Sequence, residues 1–295
     1  MKLLVIGHSV EDHIELNGSV QIKPGGIFYT VNALKNFIEK DDEIYLCTSV
    51  ENTNEILFDE VYGKLNREYF QSVEKIPRVY LTLHDFKERD ERYENITKNL
   101  DIKPDDFNLF DGILLNMITG FDLTLFQLKE IRRNYKGLIY LDVHTLSRGL
   151  YENYKRDFRV IPNFDEWASC VDIIQVNENE FNTLSSKIDR LEVVKDLLNL
   201  GVKFLIITKR SRGARVYCLL KSEVVSMFQK GLQVKENNKI GCGDIFGAIF
   251  FYTYIKFNNL NKSLRFANIA GACAVSYMDL SCYKDLKEDV IKRYN

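Results

Sequence analysis

Apolar residues gather along the chain in short, nearly continuous runs at 3–6, 44–47, 113–115, 138–143, 173–176 and 204–208. Runs of this length without polar alternation are expected of strands buried on both faces of a parallel sheet. Between them the apolar positions take helical spacing, as in Val31, Leu34, Phe37 and Ile38 or in Leu191, Val194, Leu197 and Leu198. Strand–helix alternation of this kind predicts a doubly wound α/β sheet with helices on both faces. No internal repeat is evident.

Two stretches break the pattern. Over 14–22 the apolar residues Ile14, Leu16, Val20 and Ile22 alternate around Asn17-Gly18, a strong hairpin signal because both turn residues tolerate positive φ. A second alternating run, Val79, Leu81 and Leu83, leads into the charged segment 87–94. Half-buried strands do not belong inside a buried parallel sheet. These two segments, about 13–22 and 77–97, are therefore expected to form a small separate β-layer that covers a site or packs against another subunit. The segment 245–257 is apolar nearly all round and predicts a buried helix.

Composition narrows the class. The 295 residues, with four prolines and no Ser/Gly-rich linker, suit one α/β domain spanning 1–295. A net charge of −2 gives no footprint for nucleic acid, and the basic residues Lys209, Arg210, Arg212 and Arg215 are too few to supply one. No apolar run approaches the length of a membrane span or of a signal-peptide core. The six cysteines are scattered without a C-x-x-C pair, which predicts free thiols and a cytoplasmic location.

In an open α/β sheet, ligands bind beyond the carboxyl ends of the strands. Asn116, Asp142, Asn177 and Thr208 stand at or near those ends. The sharpest local feature is Gly241-Cys242-Gly243-Asp244 at the head of the predicted buried helix. Glycines there let the backbone approach a ligand, and the free amides of a first helical turn attract anions. A carboxylate beside a bound phosphate makes sense as a general base toward an attacking hydroxyl, or else as a first-turn charge complementing the helix dipole. There is no G-x-x-x-x-G-K-[ST], which excludes a P-loop enzyme. Gly241, Gly243 and Gly247 are one residue off the dinucleotide fingerprint and follow no strand pattern, which disfavours a Rossmann dehydrogenase.

Together these residues resemble the ribokinase-like (PfkB-type) carbohydrate kinases along nearly the whole chain. The family's D-T-x-G-A-G-D signature, with its catalytic base and anion hole, is matched by residues 238–244, ending in Gly241, Cys242, Gly243 and Asp244. Its N-x-x-E, which organises magnesium and phosphate, matches Asn177 and Glu180; its nucleotide-side turn resembles Thr208, Arg210, Gly213 and Ala214. The substrate element is similar to Gly7 through Asp12, with Gly25 and Gly26 as the paired glycines and Thr30 close behind them. The helix around Asn268 resembles the one beside the adenine, and the alternating strands fall where the family inserts its β-lid.

The resemblance implies ATP-dependent, magnesium-assisted phosphorylation of a hydroxyl on a small sugar or sugar-like substrate. Asp244 would be the base and Gly241, Cys242 and Gly243 the anion hole, with Asp12, Gly25, Gly26 and Thr30 toward the substrate. Thr208, Arg210, Gly213 and Asn268 would lie toward the nucleotide, with Asn177 and Glu180 organising the metal indirectly. A homodimer through the lid strands is a further expectation. Departures from the pattern are Asn238 and Ile240 for the Asp and Thr that help hold a monovalent cation in some members. Arg210 stands in place of a glycine, and Thr30 in place of a substrate-contacting Asn. His144, close to Asp142, is a plain hydrogen-bonding residue or a pH-sensitive one. Two alternatives stay open. One is a nucleoside kinase of the same fold, with Phe28 and Tyr29 stacking on a base. The other is a catalytically weak sensor of a sugar or nucleotide.

Overall fold

Leu3 and Val5 face one core of the molecule and Leu4 and Ile6 the other, all buried, so the first strand reads as an unbroken apolar run. The computed structural model describes residues 1–16, 19–52, 55–82, 90–96, 98–102 and 104–294. The strands are β1 (Lys2–Ile6), β2 (Ser9–Leu16), β3 (Ser19–Gly26), β4 (Glu43–Glu51), β5 (Phe70–Val73), β6 (Arg78–Thr82), β7 (Asp90–Glu94) and β8 (Gly112–Asn116). They continue with β9 (Leu138–Asp142), β10 (Arg148–Leu150), β11 (Arg156–Phe158), β12 (Ile173–Asn177), β13 (Phe204–Thr208), β14 (Gly213–Leu220) and β15 (Glu223–Lys230). The α-helices are α1 (Phe28–Lys35), α2 (Asp59–Tyr62), α3 (Leu125–Asn134), α4 (Phe164–Ala168), α5 (Glu178–Phe181), α6 (Arg190–Asn199), α7 (Cys242–Phe257), α8 (Leu260–Ser276) and α9 (Leu286–Tyr294).

The main sheet has nine strands in the order β15-β14-β13-β12-β9-β8-β1-β4-β5. Strands β5 through β13 along that order pair in parallel, and β14 and β15 extend one edge antiparallel. One core lies under α1, α7 and α8, the other under α3, α4 and α6. This is the expected α/β architecture with helices on both faces. Helix α7 is buried along Ile245–Thr253, with Phe246, Phe250 and Tyr254 stacked one turn apart.

The β14–β15 hairpin has no counterpart in the sequence reading. Leu220 pairs with Glu223 across the turn residues Lys221 and Ser222, whose φ values are 51° and 68°. A two-residue hairpin turn needs positive φ, and its usual signal is Asn-Gly. Lys-Ser carries no such signal, so the hairpin is invisible in the sequence.

A second sheet of four strands, in the order β3-β2-β6-β7, takes in the two alternating segments. Strands β2 and β3 pair antiparallel with Leu16 opposite Ser19, and β6 joins β2 in parallel. The turn residues 17–18, and Leu83 with most of the charged segment, lie outside the described residues. The first strand begins at Ser9, earlier than the alternation suggests, because Ser9 through Asp12 are already buried between the two sheets. The outer strand β7 is pinned by Tyr93 N–H, which donates to Tyr154 O at 3.1 Å, beside the β10–β11 hairpin.

Candidate active site

Parallel register aligns the strand ends. Asn116 of β8 pairs with Asp142 of β9, Asp142 with Gln175 of β12, and Asn177 of β12 with Thr208 of β13. The polar residues noted at the carboxyl ends thus share one rim, and the head of α7 arrives above it. Asn116 Nδ2 donates to Asp244 Oδ1 at 2.7 Å and to Thr30 Oγ1 at 3.2 Å. The amide must face this way, since the opposite flip would set two oxygen acceptors together. Asn116 Oδ1 is consequently buried without a hydrogen-bond partner.

A second anchor was not foreseen. Gln175 Nε2 donates to Gly243 O at 3.1 Å and to Asp142 Oδ2 at 3.0 Å, and its Oε1 accepts from Tyr140 OH at 2.6 Å. Two strands therefore hold the first turn of α7 by a backbone carbonyl and by the side chain of Asp244. The only sequence signal for Gln175 is a lone polar residue inside the apolar run 173–176.

Gly241 precedes the helix in the left-handed region at φ 76°, and a Cβ there would lie 2.3 Å from Cγ of Tyr29. The amides of Cys242, Gly243 and Asp244 open the helix and have no partner four residues back. Burial, with Asp244 and Glu236 nearby, raises the Cys242 thiol to about 12, so at neutral pH it is a neutral neighbour of that turn.

A small cavity that opens to solvent lies between this turn and the lid sheet. Asp12, Gly26, Gly241 and Asp244 line it, with Tyr29 between them. Asp12 is 4% exposed, and a Cβ on Gly25 would meet its carboxylate at 2.2 Å, so only glycine leaves room for Asp12 in that position. Thr30 is fully buried and lies behind Asp244 through Asn116, outside the cavity lining. His144 also lines the cavity, with Nδ1 2.7 Å from Thr145 Oγ1. Phe28 turns away from the cavity into a cluster with Phe58 and Tyr62, which leaves Tyr29 alone of the two in the cavity lining.

The expected nucleotide-side residues stand along the neighbouring strands, outside this cavity. Thr208 ends β13, and Arg210 follows it in a tight turn at φ 54°. Gly213 has φ 111°, and a Cβ there would lie 2.0 Å from Gln229 O. Gly213 pairs with Lys230, whose carbonyl accepts from Asn268 Nδ2 at 2.8 Å, so this turn and α8 meet at the end of β15. Lys209 and Arg212 both pair with Glu178, which neutralises part of the basic cluster.

Asn177 and Glu180 form a reciprocal cap on α5. Asn177 Oδ1 accepts from Glu180 N at 2.9 Å, and Glu180 Oε2 accepts from Asn177 N at 2.8 Å. Glu180, Asp142 and Asp244 are all buried and close enough to repel one another. Burial, with Asp244 and Glu180 nearby, pushes the Asp142 carboxyl well above its ordinary 3.8. A raised folded pKa means stability is full below the ordinary value and is lost as pH rises toward the folded one. Asp142→Asn, which keeps an oxygen for Gln175, is therefore expected to raise Tm at pH 8, the gain shrinking toward pH 4. Calorimetric melts across that range check this, and equal gains at both ends would refute it.

Residues 148–284 match the sequence model described as pfkB family carbohydrate kinase. No curated protein matches the chain by sequence. Among solved structures, the chain is similar to a ribokinase from Thermotoga maritima at 17% identity and TM-score 0.74, covering 100% of this chain and 99% of that one. It is similar to Arabidopsis thaliana ribokinase complexed with ribose and ATP at 16% identity and TM-score 0.74, covering 98% of each chain. A pyrophosphate-dependent kinase in the ribokinase family, complexed with a pyrophosphate analog and myo-inositol, aligns at 15% identity and TM-score 0.73, over 96% of this chain and 98% of that one. The whole chain thus has the ribokinase fold, and residues 148–284, a little under half of it, carry the likeness in sequence to the pfkB family of carbohydrate kinases.

Proposed function

We propose that the protein transfers the γ-phosphoryl group of ATP to a hydroxyl of a small acceptor held between Asp12 and Asp244. The observation that carries this reading is the Asp244 carboxylate at the head of a buried helix, oriented by Asn116 and facing a cavity under the lid. Asp244 accepts the hydroxyl proton as the oxygen attacks phosphorus. The new O–P bond forms as the bond to the β-phosphate oxygen breaks, and ADP leaves with that electron pair. Amides of Gly241, Cys242 and Gly243 stabilise charge on the phosphoryl oxygens, and the lid keeps water from competing.

Thr208, Arg210, Gly213 and Asn268 flank the nucleotide, Gly25 and Gly26 shape the acceptor side, and Thr30 stands behind Asp244 through Asn116. The buried carboxylates Asp142 and Glu180, with Asn177, suit a hard cation held through water, since no described group of three acidic, His or Cys side chains is set for direct ligation. A magnesium ion bound there would neutralise the phosphates of the donor. The chain acts as one catalytic unit, main sheet below and lid above.

Incubation with Mg-ATP and a panel of pentoses, hexoses, inositols and nucleosides, reading ADP, tests the reading. Pyrophosphate is run as a second donor, because one similar structure is described as pyrophosphate-dependent. Acceptor-dependent ADP supports transfer; ATP binding without turnover on any acceptor would favour a sensor.

We place a homodimer contact at the lid. Strand β3 is the outer strand of its sheet and carries Val20 and Ile22 at 61% and 55% exposure. Light scattering is expected to show a dimer that Val20→Lys with Ile22→Lys converts to monomer. A monomeric parent protein would remove this reading. All six cysteines are free thiols, which supports a reducing compartment such as the cytoplasm. No helix is long and apolar enough to cross a membrane among the described residues.

A further inference from the structure

We propose that Gln175 is a positioning residue for phosphoryl transfer, fixing the peptide unit between Gly243 and Asp244 against the main sheet, and that Gly247 makes room for it. The proposal rests on the phosphotransfer reading for what the head of α7 does, and on the packing beneath that turn for how it is held.

Of the three glycines in 241–247, Gly241 turns the chain and Gly243 lies in the first turn of the helix. Gly247 has neither duty. It stands one helical turn beyond Gly243, on the same face of α7. A Cβ there would come within 3.1 Å of both Gln175 Oε1 and Tyr140 OH, tighter than ordinary van der Waals contact. The missing side chain is the space through which Tyr140 of β9 and Gln175 of β12 reach the helix.

Gln175 is 3% exposed, and both hydrogens of its Nε2 are used. One goes to Gly243 O and the other to Asp142 Oδ2, while Oε1 accepts from Tyr140 OH. The reverse flip would set Oε1 against the Gly243 carbonyl oxygen, so these partners hold the amide in one orientation. A peptide unit is planar, which makes the Gly243 C=O and the Asp244 N–H point in opposite directions. Holding that carbonyl therefore aims the Asp244 amide out of the helix head and fixes the Cα from which its side chain departs. Asn116 orients the carboxylate from the other end. Donors to developing charge act through preorganisation, and a displacement of about 1 Å can cost roughly 100-fold in rate. Gln175 lies outside the cavity lining and acts through where it places Asp244.

Gln175→Met keeps the volume of the side chain and removes all three hydrogen bonds. Turnover is read as ADP release on the panel of pentoses, hexoses, inositols and nucleosides. The variant's kcat is expected to fall about 10- to 100-fold, with KM for ATP and acceptor changing by less than about threefold. Its Tm falls too, because the Tyr140 hydroxyl is left buried without a partner. The double variant Tyr140→Phe with Gln175→Met removes that hydroxyl and is expected to regain Tm but not kcat. Gly247→Ala crowds the same amide while improving helix propensity. It is expected to keep the parent Tm and to lose kcat about three- to tenfold.

A Gln175→Met kcat within about threefold of the parent, or a double variant that regains turnover along with Tm, overturns the positioning role. Parent-level turnover in Gly247→Ala overturns the part given to that glycine. A parent protein that turns over no acceptor sinks phosphotransfer instead. The variants are then read by calorimetric titration with inorganic phosphate, which a correctly held helix head attracts. Parent binding that Gln175→Met weakens about three- to tenfold sustains the positioning role. Equal binding in both, or none by the parent, overturns it.

Discussion

Asp244→Asn is expected to lower kcat by about 10²- to 10⁴-fold, the range typical for loss of a general base. The change is nearly isosteric. Its Oδ1 can still accept the 2.7 Å hydrogen bond from Asn116, so the first turn of α7 keeps its anchor. What disappears is the ability to take a proton from the attacking hydroxyl. Tm should therefore stay within a few degrees of the parent while turnover collapses. Nucleotide affinity should hold or rise, because a negative charge beside the transferring phosphate has been removed. Steady-state kinetics with a calorimetric melt reads all three. Turnover near the parent level would show that Asp244 is only a first-turn charge complementing the helix dipole.

Gly241→Ala is expected to damage the fold and the chemistry together. The residue sits at φ 76°, where an L-side chain costs about 1–2 kcal/mol. Its new methyl would also lie 2.3 Å from the Tyr29 ring, which is buried in the first turn of α1. Forcing such a contact adds about 1–3 kcal/mol. A loss of about 2–5 kcal/mol in a denaturant titration follows from the two contributions. Gly243→Ala is the internal comparison. The nearest atom to a Cβ there is Gln175 Nε2 at 3.9 Å, so alanine fits. Stability should change by no more than about 0.5 kcal/mol. Equal losses at both positions would mean that general helix-start effects, and not the Tyr29 contact, govern this turn.

The strand runs at 3–6, 44–47, 113–115, 173–176 and 204–208 were readable because a strand buried on both faces has no polar alternation to blur it. The head of α7 was readable because two glycines and an aspartate before an all-apolar helix are unusual in a surface element. The β14–β15 hairpin was not, since Lys221-Ser222 adopts positive φ that only tertiary pairing of the flanking strands can impose. Gln175 was not, since a single amide in a strand gives no sign of which neighbours it will reach. Phe28 and Tyr29 are adjacent and chemically alike. Helical geometry sends one into the aromatic cluster with Phe58 and the other to the cavity.

Local pattern thus determined the α/β class, the position of a separate β-layer and the identity of the glycine-rich helix start, because each depends on residues near in sequence. The tertiary structure decided how Asn116 and Asp244 meet across 128 residues and how Gln175 ties Gly243 to Asp142. Those features arise only when parallel register brings distant strand ends to one rim and the lid folds over it, and no local spacing encodes that meeting.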